Sequence, residues 1–326
     1  MKIKYLNHID NKDSNKLILY IITLNETNSK YNGFFLAIIE NMSILSEMGY
    51  KVYFYNTFRN VVLDTDWIDI LDTIYFINDI KLYINFKGYK LSLANFPCKT
   101  LINLVNKYKC LQETIIMHDH DDILRNTDCE LNSNMKFILQ KINHKYLVIS
   151  NKFNDILYQK LNYNTVSLEL SLIFVSQFNI SINEKMDKIG YLKYIDGMNN
   201  NFICCNGKVS DVYKKMNSCK YFCHLEKFNK FDKKFKIIGE GFGRQVIEAC
   251  LSQCIVFFYP NYFYNKLPFN KFLYVENIGQ VLKKIKIIEQ NKSLEKELLQ
   301  NCINVGKYYN DKDMTKKNIL KIYNIN

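Results

Sequence analysis

The sequence predicts an α/β protein built as two domains, each around a parallel sheet. Three observations carry that prediction. Continuous apolar runs, such as residues 17–24, read as strands buried on both faces. Strand-like and helix-like segments alternate along the chain, the order that βαβ units require. The 326 residues, 48% of them hydrophobic, suffice for two cores.

Taken in order, residues 17–24 form the first buried strand, and a polar loop over 25–32 leads to Gly33-Phe34. Residues 35–47 have helical spacing, with Leu36, Ile39, Ile44 and Leu45 near one face. Gly49 stands where a C-terminal glycine stops a helix. The next strand, 51–55, completes one βαβ unit. Residues 73–76, 91–94, 114–117 and 146–150 read as further strands, with helices over 132–143 and 153–161. Residues 1–170 thus make a first domain of ordinary size.

A second α/β series begins near Ile189. Its strands are 202–205, 221–225 and 254–258, and its helices 209–217, 244–252, 278–289 and 293–308. This second domain spans 171–309, with the boundary set in the irregular stretch 164–188. Residues 310–326 carry a closing helix over 312–323.

Composition excludes several classes. High apolar content without low-complexity tracts argues against disorder. The net charge of +12 fits a nucleic acid, an anionic membrane surface or an acidic substrate. The lysines are spread along the chain, however, beside abundant Asn, Ile and Tyr, so the bias of an AT-rich genome explains the surplus more simply. The first apolar run is too short to span a bilayer, and no signal peptide opens the chain. Ten cysteines without framework spacing suit free thiols in a reducing, cytoplasmic compartment. Cys219, Cys223 and His224 hint at zinc, but they also read as a buried strand with no second ligand pair.

The most informative segment is Gly239-Glu240-Gly241-Phe242-Gly243-Arg244-Gln245-Val246-Ile247-Glu248-Ala249. Three glycines in five residues allow a tight turn and a close backbone approach to a ligand. A helix starts directly after them, and its unpaired N–H groups and dipole favour phosphate or sugar oxygens. Glu240 and Glu248 then lie on either side of that helix start. Two acids flanking phosphate-binding amides suit a nucleotide sugar, which has hydroxyls at both ends. The same residues also fit a Gly-rich turn capping a helix, with two surface glutamates.

The segment resembles the E-x7-E signature of the retaining GT-B glycosyltransferases of the large family-4 type, with Gly241-Phe242-Gly243 and Ala249 in register. The resemblance extends upstream through residues 212–222 and downstream to 254–257. It implies two Rossmann-like domains facing each other across a cleft. It implies a transferase that needs no metal and no cofactor, with the nucleotide sugar as substrate. In that reading Glu240 lies by the donor sugar, Gly241, Phe242 and Gly243 hold sugar and phosphate, and Glu248 binds ribose. Gly33 matches the family's loop near the donor diphosphate. His118, after the strand ending at Met117, matches a histidine near the reacting sugar. The run His118-Asp119-His120 also resembles phage enzymes that glucosylate DNA, so acceptors range from a glycan or lipid-linked sugar to modified DNA.

The chain departs from the family at the diphosphate clamp. The pattern G-R-x-x-x-x-K-G reads here as Gly190-Tyr191-Leu192-Lys193-Tyr194-Ile195-Asp196-Gly197. Tyr191 and Asp196 replace the two cations, leaving Lys193 or Arg244 to substitute. Without a substitute, the resemblance implies a degenerate transferase fold that acts as a binding or scaffold module. Residues 197–202 also leave no room for an added strand and helix. Asp64-Thr65-Asp66 offers a third reading, a metal-dependent GT-A transferase, though no Gly loop accompanies it.

Overall fold

The structure, a computed structural model, describes residues 2–6, 17–22, 33–56, 73–77, 90–93, 115–117, 146–148, 165–167, 185–192, 195–225, 244–260 and 264–322. The chain divides into two compact units. One comprises Met1–Asn28, Phe34–Ser171 and Lys312–Asn326, the other Ser29–Gly33 and Leu172–Asp311.

In the first unit, the strands β1 (Lys2–Leu6), β2 (Leu17–Ile22), β3 (Lys51–Asn56), β4 (Thr73–Ile77) and β5 (Lys90–Leu93) form one parallel sheet, in the order β1-β4-β3-β2-β5. A second parallel sheet holds β6 (Ile115–Met117), β7 (Tyr146–Val148) and β8 (Thr165–Ser167), with β6 beside β5. Helix α1 (Gly33–Glu47) joins β2 to β3. It stops as its sequence predicts. Gly49 adopts φ +83°, and the Tyr50 N–H donates to the Leu45 carbonyl at 3.0 Å, satisfying an end carbonyl. The helix is buried more widely than one face. Glu40, Asn41 and Ser43 are enclosed along with Leu36, Ile39, Ile44 and Leu45.

The second unit has the parallel strands β9 (Met186–Tyr191), β10 (Phe202–Cys204), β11 (Cys219–His224) and β12 (Ile255–Phe258), in the order β10-β9-β11-β12. Helix α2 (Val209–Ser218) leads into β11, and α3 (Arg244–Leu251) leads into β12. Helices α4 (Ile278–Gln290) and α5 (Lys292–Tyr308) follow, started by Asn277 and Asn291, whose side chains accept from the N–H groups of Gln280 and Leu294. Strands β11 and β12 are almost wholly buried; β12 is an unbroken apolar run, and β11 is apolar apart from Lys220 and His224.

Three contacts fix α3 within this unit. The Lys185 ammonium donates to the carbonyls of Asn217 (2.6 Å), Cys219 (3.1 Å) and Ser252 (2.7 Å), gathering the C-terminal ends of α2 and α3. A cation there meets both helix dipoles and the end carbonyls. Gly306 of α5 lies against the backbone of α3 at Leu251. Lys220 of β11 pairs with Asp187 of β9 at 3.3 Å and Glu295 of α5 at 2.9 Å, tying the sheet to the helix that supports α3.

Helix α6 (Lys312–Ile322) belongs to the first unit. Lys312 and Lys316 both reach Glu47 at the end of α1, at 2.5 and 3.4 Å, while Thr315 and Ile319 are buried. No helix among the described residues is long and apolar enough to cross a membrane.

Three strands were not anticipated. β1 alternates lysine with apolar residues and occupies a sheet edge, where charge is tolerated. β8 has only three residues. β9 opens on Met186-Asp187-Lys188, of which Met186 and Asp187 are exposed, so only its last half reads as buried. The helices expected over 132–143 and 153–161, and Asp64-Thr65-Asp66, lie outside the described residues.

Candidate functional site

In an open parallel sheet, ligands bind beyond the C-terminal ends of the strands, where the strand order reverses. The second unit reverses between β9 and β11, since β10 lies outside β9 and β12 outside β11. Tyr191 and Leu192 end one strand there, and His224 and Leu225 the other. Helix α3 runs back between two parallel strands, β11 and β12, so its N-terminus lies on the same edge. In the first unit the reversal falls between β2 and β5, and Gly33 is the first residue of α1, the next described element after β2.

Arg244 is the first residue of α3, and Glu248 follows one turn later, on the same helix face. Both are buried, with Glu248 fully so. The Arg244 Nε donates to Glu248 Oε1 at 2.5 Å, and the Tyr213 hydroxyl donates to the same oxygen at 2.7 Å. Arg244 Nη2 lies 3.4 Å from the Tyr213 oxygen, closing the triangle. Tyr213 comes from α2 and is itself fully buried. The arrangement balances a buried acid with a buried base. Either one alone would carry a desolvation cost of several kcal/mol.

Gly190 sits inside β9, paired on both sides. A Cβ there would lie 3.0 Å from the Phe222 ring, 3.1 Å from the Cys205 sulfur and 3.4 Å from the Cys219 sulfur. The glycine therefore has a packing reason as well as its place near the sheet edge. The hydrogen bond between those two thiols raises the pKa of Cys205 and lowers that of Cys219. Tyr191 is half-buried, with its ring edge-on to Phe202 at 6.3 Å, and its carbonyl accepts from Cys205 N–H at 2.6 Å. Asp196 lies exposed in the turn that leads to β10. Among the described residues of that connection there is no helix, and Gly197 turns the chain at φ +94°.

His118, Lys193, Glu240, Gly241, Phe242 and Gly243 lie outside the described residues. The chain positions are nonetheless informative. His118 follows the last residue of β6, and Gly243 precedes the first residue of α3. Cys219, Cys223 and His224 form a single buried strand, on which adjacent residues 223 and 224 leave by opposite faces. His224 packs edge-on to Tyr264 with ring centres 6.4 Å apart. No group of three metal-ligating side chains occurs among the described residues.

Sequence reasoning missed Tyr213. It reads as one apolar position of an amphipathic helix, and nothing local links it to an acid 35 residues further on.

No protein-family model and no curated protein matches the sequence. Solved structures do match in fold. Anabaena HepE in complex with UDP and glucose is similar with a TM-score of 0.65 and 10% identity, covering 94% of this chain and 98% of that one. A glycosyltransferase from Rickettsia africae matches with a TM-score of 0.63 and 12% identity, over 95% and 98%. An alpha-glucosyltransferase in complex with UDP-glucose and DNA containing an abasic site matches with a TM-score of 0.58 and 9% identity, over 94% and 99%. The fold is the α/β fold of the GT-B glycosyltransferases.

Proposed function

We propose that the chain is a glycosyltransferase that moves a sugar from a nucleotide-sugar donor to an acceptor hydroxyl, with retention of configuration and without a metal. The observation that carries this reading is the position of α3. Its first residue, Arg244, lies on the C-terminal side of the sheet, next to the point where the strand order reverses, and the Gly-rich run 239–243 precedes it in sequence. The GT-B fold supports it, as do similar structures solved with UDP, glucose or UDP-glucose.

In the transfer, the bond from the sugar C1 to the diphosphate oxygen breaks, the acceptor hydroxyl oxygen bonds to C1, and the hydroxyl proton passes to the departing diphosphate. Negative charge gathers on the departing diphosphate, where fixed cations and amides stabilise it. Arg244 supplies the cation at the head of α3, with Lys193 a second candidate. On the family resemblance, Gly241, Phe242 and Gly243 are assigned to sugar and phosphate, and Glu248 to the ribose. Glu240 and His118 act beside the reacting sugar. Gly190 lies near the C-terminal sheet edge of its own unit, and Gly33 is assigned to the donor on the family resemblance alone. DNA is one acceptor to test beside glycans and lipid-linked sugars, given the DNA-bound structure of similar fold and the charge of +12.

A thermal-shift screen of nucleotide sugars tests the donor, because a ligand of the native state raises the melting temperature by mass action. The true donor stabilises the intact protein and not the Glu240→Ala variant. Product formation with acceptor present, unchanged by EDTA, and the anomeric signal of the product test the rest. One observation favours a second reading, a binding module without transfer. Tyr191 and Asp196 occupy the family's cation positions, and Tyr191 packs on Phe202. Donor binding without turnover or hydrolysis would select that reading.

A further inference from the structure

Resting on the donor-site reading above, we infer that Tyr213 is a positioning residue for the donor diphosphate: its hydroxyl fixes Glu248, and Glu248 fixes the guanidinium of Arg244 at the head of α3. An arginine side chain is long, and aiming it costs rotamer entropy. Here that freedom is removed before any ligand arrives. The Nε edge of Arg244 is bound to Glu248 Oε1 at 2.5 Å, and Nη2 lies 3.4 Å from the Tyr213 oxygen. Tyr213 in turn donates to Oε1 at 2.7 Å. Two contacts on one edge of a planar group fix its whole plane.

The order of charges along α3 points the same way. The cation is the first helical residue, where the dipole is also positive, and the acid stands one turn behind it. A group serving only to hold α2 against α3 needs no charge, because apolar side chains of similar volume do that at least as well. The anchor is itself supported. Asn217 Nδ2 donates to the Tyr213 carbonyl at 2.8 Å, and Lys185 gathers the far ends of α2 and α3. The arrangement replaces, with a preset arginine on α3, the cation that Tyr191 displaces from the end of β9.

The test compares UDP with uridine, which lacks the diphosphate, by calorimetry on the full chain. Tyr213→Phe keeps the ring and removes the hydroxyl. It weakens UDP five- to tenfold and uridine less than twofold. In an Arg244→Gln background the same change has no further effect on UDP. Equal loss for both ligands, no loss for either, or additive losses in the double variant overturns the assignment of Tyr213 while leaving the donor site standing. A wild-type chain that binds no nucleoside diphosphate, with UDP, ADP and GDP each tried, overturns both. Should Tyr213→Phe fail to fold, Glu248→Gln is tested with inorganic pyrophosphate, which carries no ribose for Glu248 to meet. The neutral amide holds Arg244 less firmly, so pyrophosphate binds about five- to tenfold more weakly; unchanged pyrophosphate binding overturns the relay.

Discussion

Gly306 of α5 and Leu251 of α3 touch backbone to backbone: a Cβ built on Gly306 would lie 3.1 Å from the Leu251 nitrogen and 3.1 Å from the Cys250 Cβ. Glycine inside a 17-residue helix is intrinsically unfavourable. Its presence lets α5 support the helix that carries Arg244 and Glu248. Gly306→Ala therefore destabilises the protein by about 1–3 kcal/mol, as overpacking does, although alanine is the better helix former. Urea melts decide the matter, since intrinsic propensity alone would give the opposite sign.

Gly190→Ala meets a similar obstruction, but one side of it is a small side chain. The variant loses about 1–3 kcal/mol. Adding Cys205→Ala removes the sulfur 3.1 Å from the new methyl. The pair then costs less than the sum of the two single changes, by about 0.5–2 kcal/mol in a double-mutant cycle. Strict additivity would mean that Phe222 alone limits the site.

Helix α3 ends as α1 does, but without glycine. Gln253 holds φ +59° at the position that Gly49 fills after α1, and Cys254 N–H donates to the Ala249 carbonyl at 2.9 Å. Left-handed backbone disfavours a side chain. Gln253→Gly stabilises the protein by about 0.5–1 kcal/mol once the glycine's greater unfolded freedom is offset. A lower melting temperature would show that the Gln253 side chain contributes more than its backbone costs.

Glu295 gives the fold a defined acid sensitivity. Burial alone would raise its pKa, but hydrogen bonds and charge from Lys220 and Lys292 outweigh that and hold it below its ordinary value of 4.5. A carboxylate with a depressed pKa stabilises the native state above its unfolded pKa. That stability is lost as the pH falls through the folded value. Glu295→Gln therefore costs about 1–2 kcal/mol at pH 7, between exposed and buried pairs. The difference from wild type shrinks towards zero at a pH well below 4.5. Urea midpoints for the two proteins across that range report it.

Much of the architecture was legible because hydrophobic periodicity is a local property. The run from Leu17 and the spacing through Leu36, Ile39 and Ile44 are β2 and α1, and the glycine after α1 is its stop. The second unit's helices agree with their expected ends to within one or two residues. The failures have local causes too. Lysines in β1 and the polar start of β9 weaken the apolar signal at strands that still pair through their backbones. Asn41 and Ser43 are enclosed in a helix whose sequence marks them as polar, because neighbours in space rather than in sequence decide burial.

By itself the sequence determined the alternation of strands and helices, the Gly-rich entry to α3 and the spacing of Arg244 and Glu248 on one face, since each depends on residues a few positions apart. Only the tertiary structure decided that β9 lies between β10 and β11, that Gly190 has no room for a methyl group, and that Tyr213 holds Glu248. Those facts come from segments brought together by burial and backbone pairing across tens of residues. No local spacing encodes which of many compatible neighbours a side chain will meet.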